Sequence, residues 1–295
     1  MPAIPHDPKA DIQLIRNILR AGYEDGFPVL KELLQNADDA GAGDSAAAAS
    51  TVVILLAQKG LPGATHPLLS GRPGLCILND GDFRESDATC LPMLGLSNKA
   101  SEQSSIGKFG IGLKTVFFLS ESFFFFSSRE RDWSSKAKVC ELVNPWGADH
   151  RQDWESKWSD TARAEHHQSL RNVSGGVLRA VNPTNPDRFL GIWIPLRHNS
   201  DAQPDVIHPH YPDAAFDAIF GANWAQRLVE FAPLFRHVKT VSARTLNADG
   251  TCEEVVSMRP RGTWPWFPAT SSAPMSAPAP KHIISALYPD ALRCR

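Results

Sequence analysis

Phe27-Pro-Val-Leu-Lys-Glu32-Leu-Leu-Gln-Asn36-Ala-Asp-Asp39-Ala40 is the stretch on which the fold turns. Leu30, Leu33, Leu34 and Ala37 recur at helical spacing, so the segment reads as an amphipathic helix with one buried side. Glu32, Asn36 and Asp39 fall at i, i+4 and i+7, which gathers them on another face. Gly41 and Gly43 mark the helix end. A carboxylate and a carboxamide one turn apart suit a hard cation held through oxygen, and a carboxylate can activate water. Taken alone, such a pair is most often a solvated helix face.

Working outward, Asp11 reads as the cap of an earlier helix carrying Ile12, Leu14, Ile15, Ile18 and Leu19. Downstream, Thr51–Ala57 is β-branched and apolar, a buried strand. Leu75–Leu78 is a second, stopped by Asn79-Asp80-Gly81. An Asp at a strand end can accept from an exocyclic amine, and the glycine after it leaves room for a flat base. Glu85–Leu94 is helical in pattern. Leu96–Ser105 is polar, without apolar anchors, and reads as a mobile flap. Gly107-Lys-Phe-Gly110-Ile-Gly112-Leu-Lys114 then crowds three glycines ahead of an apolar run, Leu113 to Leu119. Such a loop at a helix start lets backbone N–H groups approach phosphate. It matches neither the phosphate loop of nucleotide triphosphatases nor the dinucleotide fingerprint.

Further strands are expected at Phe123–Ser127, Lys138–Val143, Gly176–Ala180 and Gly191–Leu196. Ala214–Phe220 and Trp224–Val238 read as helices, and Lys239–Leu246 with Cys252–Met258 as a strand pair. Arg129–Asn172, with Trp133, Trp146, Trp154 and Trp158, shows no clean period and reads as an irregular or part-helical insertion. Adjacent His166 and His167 cannot share a metal from one helix face, and an exposed helix is expected there. Cys76 and Cys90 are expected in the core, and Phe123–Phe126 as a strand buried on both faces.

Composition bounds the function. Lys+Arg number 30 against 32 Asp+Glu, a formal charge of −2, so nothing marks the chain for neutralising a phosphate backbone. No apolar run is long enough to span a membrane. The five cysteines form no Cys-x-x-Cys pair, which points to neither a zinc ribbon nor a disulfide framework and suits a reducing, cytoplasmic setting. From Pro260 onward prolines recur among Ala, Ser and Thr, the pattern of a linker or tail. A chain ending this way is expected to be one working part of something larger.

In this order and spacing the four polar pieces resemble the GHKL superfamily of ATPases, the Bergerat fold, and within it the sacsin-type, heat-shock-chaperone-like branch. The resemblance rests on Tyr23–Ala42, Asn79–Phe83, Ser97–Lys99, Ile106–Phe117 and Ile194-Pro-Leu-Arg197, and covers about residues 11–200. It implies an α/β two-layer sandwich: a mixed, mostly antiparallel sheet with helices on one face. Residues 201–258 would form a small α+β extension and 259–295 the tail. It implies an ATP-binding module that hydrolyses ATP with Mg²⁺ and closes a lid over it, with a chaperone-like or regulatory output. The alternative is a nucleotide-sensing interaction module with little turnover. ATP and ADP are the implied ligands, and a homodimer or downstream domain the implied partner, with no direct nucleic acid and no membrane.

By the same resemblance, Glu32 matches the residue that activates the attacking water, and Asn36 the Mg²⁺ ligand. Asp39 matches a polar pocket residue, Asp80 the acceptor for the adenine amine, and Gly81 the gap for the base. Gly107, Lys108, Phe109, Gly110, Ile111 and Gly112 match the loop around the phosphates, with Lys99 and Lys114 within reach of phosphate. Many members support the base-reading Asp with a Thr at the start of the late strand. Here Phe189–Pro195 has none, so another hydroxyl or a water is expected there.

Overall fold

The computed structural model describes residues 8–22, 24–39, 49–91, 111–147, 152–182, 187–201 and 205–259. The flap Leu96–Ser105 lies outside them, as do Lys99, Gly107, Lys108, Phe109 and Gly110 and the Pro-rich segment from 260 onward. The centre of the fold is a seven-stranded sheet. In chain order its strands are β1 (Thr51–Ala57), β2 (Gly74–Asn79), β3 (Phe123–Ser127), β4 (Cys140–Val143), β5 (Leu190–Pro195), β6 (Thr240–Leu246) and β7 (Cys252–Met258). Their order across the sheet is β4-β3-β5-β2-β1-β6-β7. Only β1 and β6 run parallel, so the sheet is mixed and mostly antiparallel, as expected.

β1 and β2 are buried along their whole length because strands flank them on both sides and side chains cover both faces. The pairing register sorts those side chains. Phe123, Phe125, Ile192, Ile77, Asn79 and Val52 share one face. Phe124, Phe126, Trp193, Cys76, Val53 and Thr51 share the other. The ring of Phe126 fills the space that a Cβ on Gly191, its partner across β5, would need. All four phenylalanines of β3 are buried, as their run predicts.

The first face carries the main helical layer. A 3-10 helix, η1 (Ile111–Phe118), lays Phe117 against Phe123 with ring centroids 6.0 Å apart. α1 (Pro8–Gly22) and α2 (Phe27–Asp39) pack on η1. α3 (Glu85–Cys90) follows β2. Phe83, between them, sits over Phe125 at 5.9 Å. The short helix α4 (Gln152–Ser156) precedes α5 (Asp160–Val181), 22 residues long, which packs against β1, β3 and β4. Trp158, just before α5, lies against Phe124 at 4.9 Å, which places α5 on the second face. α6 (Phe216–Phe220) and α7 (Trp224–Phe231) pack beside α2. Residues 201–258, expected as an extension, therefore contribute one edge of the sheet itself.

Several elements differ from their sequence reading. Gly176–Ala180, expected as a strand, forms the last turns of α5. The helix carries buried residues on either side of Gly175 and Gly176. Asp11 does not cap α1, which starts at Pro8. The helix expected over Trp224–Val238 ends at Phe231, where Pro233 brings a 3-10 turn, Ala232–Leu234. His166 and His167 are buried, since Trp158 stacks on His166 and His167 Nε2 lies 2.8 Å from the Ser127 carbonyl. Cys90, expected in the core, is exposed, while Cys76 is buried. No described helix is long and apolar enough to cross a membrane.

Candidate functional site

α2 presents the first two site residues. Its buried side is Phe27, Val29, Leu30, Leu33, Leu34, Ala37 and Asp38, and this leaves Glu32, Asn36 and Asp39 half-buried at the layer's edge. Asp38, not singled out in the sequence, holds the helix end. Its carboxylate accepts from the backbone N–H groups of Arg236, His237 and Val238 at 2.8–2.9 Å, fixing the entry to β6.

Glu32 meets the start of η1 directly. A Cβ placed on Gly112 would overlap Glu32 Oε2, so the backbone of η1 approaches that carboxylate closely only because residue 112 has no side chain. The hydroxyl of Thr115 donates to the Gly112 carbonyl at 2.7 Å and tightens this turn. Lys114, half-buried on η1, has its pKa lowered by desolvation, and the Asp11 carboxylate on α1 partly offsets this. Ile111 begins η1.

The Asn36 carboxamide has a buried terminal nitrogen with no hydrogen-bond partner among the described residues. A polar group left this way is costly unless a ligand satisfies it. Amide O and N are assigned by network, so the unpaired end can equally be the oxygen a cation needs. Among the described residues no three acidic, His or Cys side chains cluster to cage a metal.

Asp80 is built differently. Its Oδ1 accepts from the N–H groups of Ser50 and Thr51 at 2.7 and 2.8 Å. Its Oδ2 accepts from Ser50 Oγ at 2.6 Å and Asn182 Nδ2 at 2.8 Å. Ser50 thus supplies the hydroxyl that the late strand lacks. Asn182 closes α5 and also donates to Thr51 Oγ1 at 3.2 Å, on the second face of the sheet. Asn79, one residue earlier, points to the first face, and its Oδ1 accepts from Gly81 N–H at 3.1 Å. The structure therefore brings Glu32 and Gly112 together, sets Asn36 beside Glu32 on α2, and turns Asp80 toward α5.

The layer is anchored below by a buried ion pair that the motif reading passed over. Arg197 Nε donates to Glu121 Oε1, and neither side chain is exposed to more than 1%. The Arg197 guanidinium also donates to the carbonyls of Phe117, Phe118, Ser120 and His210, at 2.7–2.9 Å. Trp146 Nε1 and the Ile207 N–H donate to Glu121. Both charges are thus fully hydrogen-bonded, and the end of η1 is tied to the end of β5.

The chain has similarities to known proteins. In Homo sapiens, sacsin is 33% identical over 107 residues, which cover 36% of this chain and 2% of that protein. The chain thus matches only a small part of its curated relative. A crystal structure of the N-terminal domain of a DNA repair protein superposes with a TM-score of 0.38 at 13% identity, over 83% of this chain and 56% of that one. A family model described as "Sacsin domain" matches residues 10–257, from α1 into β7. The chain belongs to the Sacsin domain family.

Proposed function

We propose that the chain is an ATP-binding module that hydrolyses ATP with Mg²⁺ and passes the change to a chaperone-like or regulatory partner. The observation that carries this reading is the junction of Glu32 with Gly112. Two motif pieces far apart in sequence are packed so that a carboxylate faces the backbone where the glycine loop enters η1. Membership of the Sacsin family supports it, since that family is related to ATPase-like and chaperone-like modules.

In this reading Glu32 orients and deprotonates a water for attack in line with the leaving group. Asn36 would hold Mg²⁺ together with the phosphates; the ion supplies charge neutralisation at the phosphoryl oxygens. The N–H groups at the start of η1 hold phosphate, and Lys114, half-buried beside Asp11, adds a charge near them. Asp39 lies at the rim of the same helix face. A dimer or a further domain would receive the output.

Glu32→Ala tests the assignment in the full chain. Phosphate release should fall by roughly a hundredfold or more, the scale of general-base loss, while nucleotide binding stays measurable. Turnover unchanged by the substitution contradicts the role of Glu32. Binding without turnover in the unmutated chain makes it a nucleotide-sensing interaction module instead.

A further inference from the structure

We propose that Trp264-Pro-Trp266-Phe267, a short way beyond β7, docks on an exposed apolar face made by Phe231, Leu234 and Phe235. The inference does not depend on the nucleotide site. α7 ends at Phe231, and the 3-10 turn Ala232–Leu234 follows it. Phe231, Leu234 and Phe235 fall at i, i+3 and i+4, the spacing of one helical face. Leu228, Val229 and Ala232 take the buried side. Leu234 is left 69% exposed, the highest value among the large apolar side chains described, and Leu14 on α1 follows at 37%.

A single exposed leucine calls for no explanation. Here two half-buried rings accompany it. Phe231 and Phe235 meet edge to face with centroids 5.2 Å apart. Lys31 Nζ lies 5.9 Å from the centre of the Phe231 ring, and Arg236, next to Phe235, is exposed. The face thus offers apolar carbon rimmed by cations. That combination suits aromatic side chains, which bury a large area and present a π surface to a cation.

Residues 260–295 lie outside the described structure, but the point from which they start is within it. β7 is an edge strand, and its final residue, Met258, pairs with Val241 near the start of β6. Antiparallel partners have Cα atoms about 5 Å apart. Phe235 stands six residues before Val241, and Trp264 six residues after Met258. At about 3.3 Å per residue, each stretch spans roughly 20 Å at most. The chain therefore leaves β7 at the end of the sheet where Phe235 leads into β6, and Trp264, Trp266 and Phe267 come within reach of the face. A tether this short gives the aromatic segment an effective concentration in the millimolar range. A separate partner at micromolar concentration would have to bind about a thousandfold more tightly to displace it.

The experiment is native trypsin digestion of the full chain, following the cut after Arg261 by mass. It compares the unmutated protein, Leu234→Ser, the double variant Trp264→Ala/Trp266→Ala, and all three substitutions together. Each rate is divided by that of the same chain unfolded in urea, which removes any intrinsic preference for the site. Cleavage tracks the undocked population. Leu234→Ser should speed the cut by roughly tenfold or more, the scale of one leucine side chain taken out of contact. The double variant should speed it alike. The combination should speed it no further, because both changes remove the same contact. Thermal melts of the single and double variants should match that of the unmutated chain, and the rates should not change on dilution. A cut indifferent to Leu234→Ser and to the double variant, or effects that add in the combination, overturn the inference. Protection that is lost on dilution assigns the face to a second copy of the chain and overturns it as well.

Discussion

The start of η1 comes directly against Glu32 at Gly112. Its missing side chain is the space taken by Glu32 Oε2. The overlapping atom is the end of a flexible side chain, so Gly112→Ala should fold with little loss of stability, within about 1 kcal/mol. Displacing the carboxylate should still cut phosphate release by roughly tenfold or more, since small displacements of a positioned group are costly. A thermal melt beside a turnover assay checks this, and full activity in a well-folded variant contradicts the junction. Glu32 and Asn36 were legible in the sequence because helical spacing fixes which residues share a face. The face to which Asp80 turns was not readable there. Which of two neighbours points to a given face depends on strand register, and β2 takes its register from β1 and β5. The brace on Asp80 was hidden for the same reason, as Ser50 and Asn182 are distant in sequence and meet it only in the folded chain.

Among the elements, α2, β1, β2, β3, β6 and β7 were readable because each has a strong period or a continuous apolar run. The helix α5 was not. Its histidines, glycines and arginines blur the pattern, although Ser159 caps it, accepting from the Ala162 N–H at 3.2 Å, and Leu170, Val177, Leu178 and Val181 give it a buried side. A serine ahead of that spacing was the available signal. η1 winds as a 3-10 helix where a helix start was expected, and Arg197 donates to the carbonyls of Phe117 and Phe118 at its end. Removing one partner of a buried ion pair strands the other charge and four carbonyl acceptors. Arg197→Met should therefore destabilise the fold by about 3–5 kcal/mol, read as a lowered midpoint in denaturant. A change below about 1 kcal/mol contradicts the anchoring of η1 by this pair.

At the scale of the whole molecule, the mixed sheet followed from the family resemblance, whereas the parallel pairing of β1 with β6 joins segments that no local pattern connects. One property of the whole fold follows from its buried histidines. His66 packs edge-on to Phe124 and Trp158. Its Nε2 lies 2.9 Å from the Trp154 carbonyl, and its Nδ1 accepts from the Leu68 N–H at 3.2 Å. Those partners specify a neutral ring with its proton on Nε2. Burial lowers its pKa to about 4, with the Trp154 carbonyl pulling the other way. The unfolded chain takes up this proton near pH 6.5 and the folded chain only near 4. Stability should be full above pH 6.5 and fall by about 3 kcal/mol as the pH drops to 4. Burial of His166, His167 and His208 acts in the same direction. Denaturant melts at pH 7 and 4.5 should show the loss, and His66→Gln should flatten it. Equal stability at both values contradicts the neutral, buried assignment.

The central claim is that α2 and η1 together hold a nucleotide with Mg²⁺. Its most direct test is calorimetry of the full chain with a non-hydrolysable ATP analogue, with and without Mg²⁺, beside Asn36→Ala. Binding is expected in the unmutated chain, strengthened by Mg²⁺, with that strengthening lost in Asn36→Ala. No heat of binding in the unmutated chain under either condition contradicts the account.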